Sequence, residues 1–172
     1  MDANIIKYVK SFAKPKLPIP AKVWTNPIYF IAFGFGSGAA PFAPGTFGTL
    51  ASILIYLIIQ DLPLASYLLF VAIFILASIW ISDWVSKRIH VHDHPGMCID
   101  EFAGFFVTMI NAPRGFGWIV LGFILFRLFD IFKPWPINVI DRRVHGGFGM
   151  ILDDVVAGLF SMMIIQLIAV TL

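Results

Sequence analysis

The stretch Phe126-Arg127-Leu128-Phe129-Asp130-Ile131-Phe132-Lys133-Pro134-Trp135-Pro136 decides how this chain is read. Ahead of it, Gly115 to Phe126 is a run of twelve uncharged residues, apolar enough to sit in lipid. Arg127, Asp130 and Lys133 then follow at spacings of three, which places them on one face of a helix. Pro134 and Pro136 stop that helix. A base, an acid and a base are therefore expected to point the same way where an apolar helix leaves a membrane. Asp153-Asp154 heads a second apolar run and Asp100-Glu101 a third.

Composition supports the membrane reading. Of 172 residues, 59% are hydrophobic and 13% charged, and the mean hydropathy is +0.89. Soluble domains carry roughly 25% charged residues, so the chain is expected to be an integral membrane protein. The net charge of +2 is small, and no nucleic-acid partner is expected. A single cysteine, Cys98, excludes an internal disulfide.

Residues 1–22 read as a basic tail and linker, and residues 23–172 as one membrane-embedded domain. Lysines at 7, 10, 14, 16 and 22 leave no continuous apolar segment for a cleavable signal peptide. Ile5, Tyr8, Val9 and Phe12 have the spacing of a short amphipathic helix on a membrane surface; a plain basic tail is the alternative. Pro15, Pro18 and Pro20 end this part.

From Val23 to Gln60 no residue is charged, but the run is broken by Gly34, Gly36, Gly38, Pro41, Pro44 and Gly45. Thr46 after Gly45 is read as an N-cap whose helix could offer backbone N–H groups to an anion; a turn serving close packing is the plain alternative. Leu62 to Ser82 is the clearest spanning segment, with 21 uncharged residues. Phe102–Pro113 and Gly115–Phe126 are each short for a full crossing and form either two spans or a hairpin that crosses in part. Val155 to Leu172 is the last apolar run. In all, about four to five apolar segments are expected.

The bases orient these segments. With the N-terminus in the cytoplasm and one crossing per segment, eleven bases fall inside and Arg114 alone falls outside. Asp61 is the one acid on the outer side. The chemistry is thus expected at the inner surface.

Carboxylates at the ends of apolar segments are costly unless paired or metal-bound, which makes them functional candidates. Convergence of Asp100, Glu101, Asp130, Asp153 and Asp154 would be offset by a hard divalent cation such as Mg²⁺. Arg127, Lys133, Arg142 and Arg143 lie close in sequence and suit phosphate recognition. Acids for metal beside bases for phosphate describe metal-assisted phosphoryl chemistry. Local ion pairs, Asp130 with Arg127 or Lys133 and Asp141 with Arg142, are the alternative for any one of them. His92-Asp93-His94 is a weaker metal or proton-relay signal. Gly146, Gly147 and Gly149 suggest close backbone approach to a ligand.

Other phosphatase designs are absent. Gly104 stands where a cysteine phosphatase needs Arg six residues after Cys98. No Asp-x-Asp pair offers an aspartyl nucleophile, no Ser-Gly-His triplet offers a phosphohistidine, and no Walker loop occurs. A metal-activated water with a carboxylate base is left.

In order along the chain, Gly34-Phe-Gly-Ser-Gly38, Ala43-Pro-Gly-Thr46, Val91-His-Asp-His94, Asp100-Glu-Phe102 with Gly104, Phe126 to Ile137, Asp141-Arg142 with Val144-His-Gly-Gly147, and Asp153-Asp154 with Ala157-Gly158 resemble the bacterial phosphatidylglycerophosphatase A family. The resemblance implies an all-α fold, Mg²⁺ dependence and hydrolysis of the terminal phosphomonoester of phosphatidylglycerophosphate at the bacterial inner membrane. It places the acidic motifs on Asp100, Glu101, Asp130, Asp153 and Asp154, and the basic ones on Arg127, Lys133 and Arg142. The working assignment gives metal ligation to Glu101, Asp130, Asp153 and Asp154, with Asp100 or a remaining acid as base. Phosphate binding falls to Arg127, Lys133, Arg142, Thr46 and His94. A divalent-cation transporter is the rival function; it predicts acids at mid-membrane depth. The oligomeric state is left open.

Overall fold

The computed structural model describes residues 17–91 and 94–171, and every regular element among them is helical. The elements are α1 (Pro27–Ala32), α2 (Pro44–Ile59), α3 (Leu64–Ile89), α4 (Ile99–Thr108), α5 (Phe116–Phe132), α6 (Ile137–Arg143) and α7 (Gly146–Thr171). Short 3₁₀ turns at Ala21–Trp24 and Gly34–Ala39 complete the list. The surface helix expected around Ile5, Tyr8, Val9 and Phe12 lies outside the described residues, as do His92 and Asp93.

Two helices, α3 and α7, are long and apolar enough to cross a bilayer. That is fewer than the four to five segments expected from sequence. The reason is length: α4 has 10 residues, about 15 Å at 1.5 Å per residue, against a hydrocarbon core of about 30 Å. Its apolar sequence has a different cause. From Phe102 to Thr108 every residue of α4 is buried, so it is the central rod of the bundle, and a helix buried all round is apolar all round. The helices α2 and α5, at 16 and 17 residues, flank it.

Helix directions follow from the side-chain contacts. Tyr67 near the start of α3 donates its hydroxyl to the Phe106 carbonyl near the end of α4, at 2.8 Å. Gln166 near the end of α7 donates to the carbonyls of Ile110 and Asn111, both at 2.9 Å. Thus α4 and α7 run parallel, with α3 antiparallel to both. They pack closely because Gly104 and Gly158 face each other. A Cβ on Gly158 would land on the Gly104 carbonyl oxygen and lie 3.1 Å from Val107 Cβ. Backbone cannot yield as a flexible side chain can. Gly158→Ala is therefore expected to destabilise the bundle by about 1–3 kcal/mol, read as a lower midpoint of thermal unfolding in detergent.

The parallel pair carries Asp100-Glu101 and Asp153-Asp154 to one end of the bundle. Lys87 and Arg88 close α3 at that end, and Arg127 lies in the last turns of α5. The opposite end holds Asp61 and Arg114, paired at 2.9 Å. Between the ends, the outward positions of α2, α3, α5 and α7 are apolar: Leu54, Ile58, Leu69, Leu76, Ile124 and Leu167 are all exposed. The fold thus separates two polar ends by an apolar belt, as the charge count along the sequence requires.

Candidate active site

The charged end of the bundle encloses a cavity of about 290 Å³. Asp100, Glu101, Asp130, Lys133, Asp153 and Asp154 line it, with His94, Asp141 and His145. All five acids singled out from sequence therefore meet in one place. They arrive on three helices: α4 brings Asp100 and Glu101, α5 brings Asp130, and α7 brings Asp153 and Asp154.

The acids divide into two groups. Asp100, Glu101 and Asp154 each present a ligand atom within 4.8 Å of the other two. Glu101 Oε2 is buried with no hydrogen-bond partner among the described residues. Like charges this close repel, and an orphaned carboxylate oxygen beside them is the arrangement that a hard divalent cation offsets. The other two acids already have cations. Arg127 Nη1 lies 2.7 Å from Asp130 Oδ2 and 3.7 Å from Glu101 Oε1. Lys133 Nζ donates to Asp141 Oδ1 at 2.8 Å and to Asp153 Oδ2. Of the local pairings considered from sequence, Asp130 takes Arg127, while Asp141 pairs with Lys133 instead of Arg142.

The one-face reading of Arg127, Asp130 and Lys133 needs correction. The helix ends at Phe132, and Lys133 is its C-cap in the left-handed region, φ 42° and ψ 60°. That backbone turn swings Lys133 off the helix face and across to α6 and α7. Burial opposes the charge on Lys133, but Asp153, Asp154 and Asp130 outweigh it and hold the ammonium pKa above its ordinary value of 10.5.

Three expected phosphate-binding positions are placed elsewhere. Thr46 is not the N-cap of α2: Ala43 is, and the Thr46 N–H is bonded to the Ala43 carbonyl at 2.9 Å. Neither Thr46 nor Arg142 lines the cavity, and Arg142 is exposed on α6. Arg127 stands behind the lining, only 14% exposed. The Gly34–Gly38 loop also stays out of the cavity. Cys98 is buried, and burial raises its thiol pKa well above the ordinary range, which fits packing and not nucleophilic chemistry.

Sequence reasoning passed over Asp141 and Gly45. Asp141 seemed local to Arg142, and nothing in its spacing announced an eight-residue reach back to Lys133. Gly45 seemed part of a loop. A Cβ there would collide with Glu101 Oε1 and lie 3.2 Å from Arg127 Nη1. Gly45→Ala is expected to leave stability nearly unchanged, since the Glu101 side chain can swing. Activity should fall about 10- to 100-fold, as expected when a reacting group moves by about 1 Å; steady-state kinetics beside a thermal melt checks both.

Comparison with known proteins points to one family. The sequence profile of phosphatidylglycerophosphatase A matches residues 30–169. A phosphatidylglycerophosphatase A from Escherichia coli (strain K12) is 39% identical over 159 residues, covering 92% of this chain and 90% of that protein. One from Haemophilus influenzae is 38% identical over 142 residues, covering 81% and 87%. A relative from Bacteroides thetaiotaomicron, provisionally named a phosphatidylinositol-3-phosphatase, is 32% identical over 142 residues, covering 78% and 89%. No solved structure matches the chain.

Proposed function

The chain belongs to the phosphatidylglycerophosphatase A family, and on that footing we propose that it hydrolyses the terminal phosphomonoester of phosphatidylglycerophosphate, giving phosphatidylglycerol and phosphate, with Mg²⁺ held at the cavity. The observation that carries this reading is the convergence of Asp100, Glu101 and Asp154 within 4.8 Å at the wall of the cavity. The cavity opens at the charged end of a helix bundle with an apolar belt. A lipid can keep its acyl chains against that belt while its phosphate enters the cavity.

Asp100, Glu101 and Asp154 would hold the cation; the donor set, all carboxylate oxygen, suits Mg²⁺. This regroups the ligands expected from sequence, because Asp130 and Asp153 are each in close contact with a base, whereas Arg127 stands 3.7 Å from Glu101. When bound, the ion supplies Lewis-acid polarisation of the phosphoryl group and a more acidic water. Lys133 and Arg127 keep positive charge beside the cavity for the transition state. Asp130, Asp141 and Asp153 are the cavity carboxylates outside the cluster, and Asp130 or Asp153 accepts the proton of the attacking water. Water adds to phosphorus, the bond from phosphorus to the glycerol oxygen breaks, and that oxygen takes up the proton the carboxylate had accepted, leaving phosphatidylglycerol and phosphate.

Lys87, Arg88, Arg127, Lys133, Arg142 and Arg143 lie towards the charged end, against Arg114 at the other, and this bias in bases supports a cytoplasmic orientation in a bacterial inner membrane. A transporter is disfavoured by the same placement, since the acids gather at one end and not at mid-depth.

The test is phosphate release by the purified protein from phosphatidylglycerophosphate, with phosphatidylinositol 3-phosphate as a parallel substrate. Activity is expected on the first lipid, abolished by EDTA and restored by Mg²⁺. Full activity in EDTA would overturn the metal assignment. Preference for the inositol lipid would move the substrate, and no activity on either would return the transporter reading.

A further inference from the structure

Outside the cavity, α3 carries a second meeting of charge and apolar surface. Leu69, Ile73, Leu76 and Trp80 are exposed, and spacings of four, three and four put them in one stripe along the helix. Trp84 and Arg88 continue the stripe in steps of four towards the charged end. From Leu69 to Trp80 the stripe is about 17 Å long at 1.5 Å per residue. That is close to one leaflet's share of a hydrocarbon core of about 30 Å. None of these residues lines the cavity.

Two elements build the head of the stripe. Tyr29 from α1 meets Trp84 from α3 edge to face, with ring centroids 5.8 Å apart, and Trp80 lies 6.4 Å from Trp84. The Arg88 guanidinium carbon sits 3.5 Å from the Trp84 ring centroid, and Lys22 Nζ lies 5.9 Å from that of Tyr29. Both are cation–π distances. A guanidinium has five N–H donors, and Nη1 of Arg88 gives one to the Trp84 carbonyl at 3.3 Å. Stacking on the indole holds the guanidinium plane, and its remaining donors suit bidentate recognition of a phosphate. Among the described residues, neither Lys22 nor Arg88 has a carboxylate within 4 Å. Lys87, next to Arg88, is by contrast held by Asp83 at 2.5 Å.

We propose that this face binds one anionic phospholipid of the surrounding membrane, distinct from the substrate. Its phosphodiester meets Arg88, with Lys22 adding positive charge from beside α1. Its glycerol lies at the level of Trp80 and Trp84, and its acyl chains follow the stripe to Leu69. Basic sites beside spanning helices on the cytoplasmic side take anionic head groups, and Trp is enriched at the membrane interface. A zwitterionic head group would bring an ammonium for which the site has no free carboxylate, since Asp83 is engaged by Lys87. The lipid would tie α1 to α3. It would thereby brace the cavity wall, because the Ala32 carbonyl at the end of α1 accepts from the Cys98 N–H at 3.1 Å. The proposal rests on the placement of α3 across the membrane and not on the reaction.

The probe is dioleoyl phosphatidylmethanol, an anionic phosphodiester that is neither the proposed substrate nor its product, compared with dioleoyl phosphatidylcholine. Binding to the full-length protein in detergent, in EDTA, is followed by native mass spectrometry across a lipid titration. At about 1 kcal/mol per basic residue near a membrane surface, the native protein is expected to prefer the anionic lipid by about 25-fold. By the same constant, Arg88→Gln and Lys22→Gln should each weaken its binding about fivefold, and the double variant should abolish the preference. Lys87→Gln removes the same charge one residue away, and Asp154→Asn alters the cavity; neither should weaken binding.

Equal affinity of the native protein for the two lipids overturns the proposal. A loss in Lys87→Gln as large as that in Arg88→Gln also overturns it, since a diffuse surface field would then suffice. Binding lost in Asp154→Asn and kept in Arg88→Gln would place the lipid in the cavity instead. No turnover is measured, so failure of the proposed reaction leaves these outcomes to decide the site by themselves.

Discussion

Asp154→Asn should lower kcat on phosphatidylglycerophosphate by about 10³-fold and abolish stabilisation by Mg²⁺. Removal of one donor aimed at a reacting phosphoryl group costs about 10²–10³-fold, and loss of a metal ligand removes the ion's contribution as well. The thermal behaviour separates this from a folding defect. Native protein should gain about 2.7 kcal/mol of stability at a Mg²⁺ concentration 100 times its dissociation constant. The variant should gain nothing. Without metal the order reverses: Asp100, Glu101 and Asp154 repel within 4.8 Å, so neutralising one of them should raise the melting temperature of the metal-free protein. A variant that melts lower in EDTA and still responds to Mg²⁺ would show that Asp154 is a structural residue and not a ligand.

Lys133→Met is expected to be the most damaging change to a base. Its ammonium holds Asp141 and Asp153, and the Asp153 side chain is only 8% exposed. Removing one partner of a buried pair strands the other charge, at a cost of about 3–5 kcal/mol; partial exposure of Lys133 puts this case near the lower figure. The double variant Lys133→Met/Asp153→Asn should recover most of that stability, since no charge is left stranded, but should not recover activity. Recovery of both would make the pair purely structural. The pH dependence has a definite sign. The folded-state pKa of Lys133 is raised above the unfolded value of 10.5. Its contribution is therefore complete below the unfolded value and is lost only as pH rises through the higher folded one. The stability gap between native protein and Lys133→Met should therefore be constant up to about pH 10.5 and narrow above it, read from denaturant melts at a series of pH values.

Much of this site could be read before any coordinates. The acids announced themselves because carboxylates at the ends of apolar runs need a reason to be there. Their meeting required only that α4 and α7 run parallel. The asymmetry of bases along the chain likewise anticipated the two polar ends, down to Arg114 and Asp61 sharing the far one.

What stayed hidden depends on backbone turns and on contacts between distant segments. Spacing alone puts Arg127, Asp130 and Lys133 on one face, but a left-handed residue at Lys133 breaks that face. The reach of Lys133 to Asp141 and Asp153 follows from that turn. Thr46 looked like a cap because Gly45 precedes it; the helix instead begins one turn's corner earlier, after a left-handed Ala43. The Gly34–Gly38 motif read only as a break in an apolar run, and its backbone partner, Gly96, lies nearly sixty residues further on. The apolar run Phe102–Pro113 resembled a span, because hydropathy does not distinguish burial in protein from burial in lipid.

The position of a bound metal ion decides between the two groups of acids. Crystals grown in lipid with Mn²⁺ replacing Mg²⁺ would show the ion by its anomalous scattering. One peak is expected, coordinated by Asp100, Glu101 and Asp154 and lost in Asp154→Asn, with Lys133 still between Asp141 and Asp153. A peak held instead by Asp130 and Asp153, with Arg127 and Lys133 displaced from them, would contradict it.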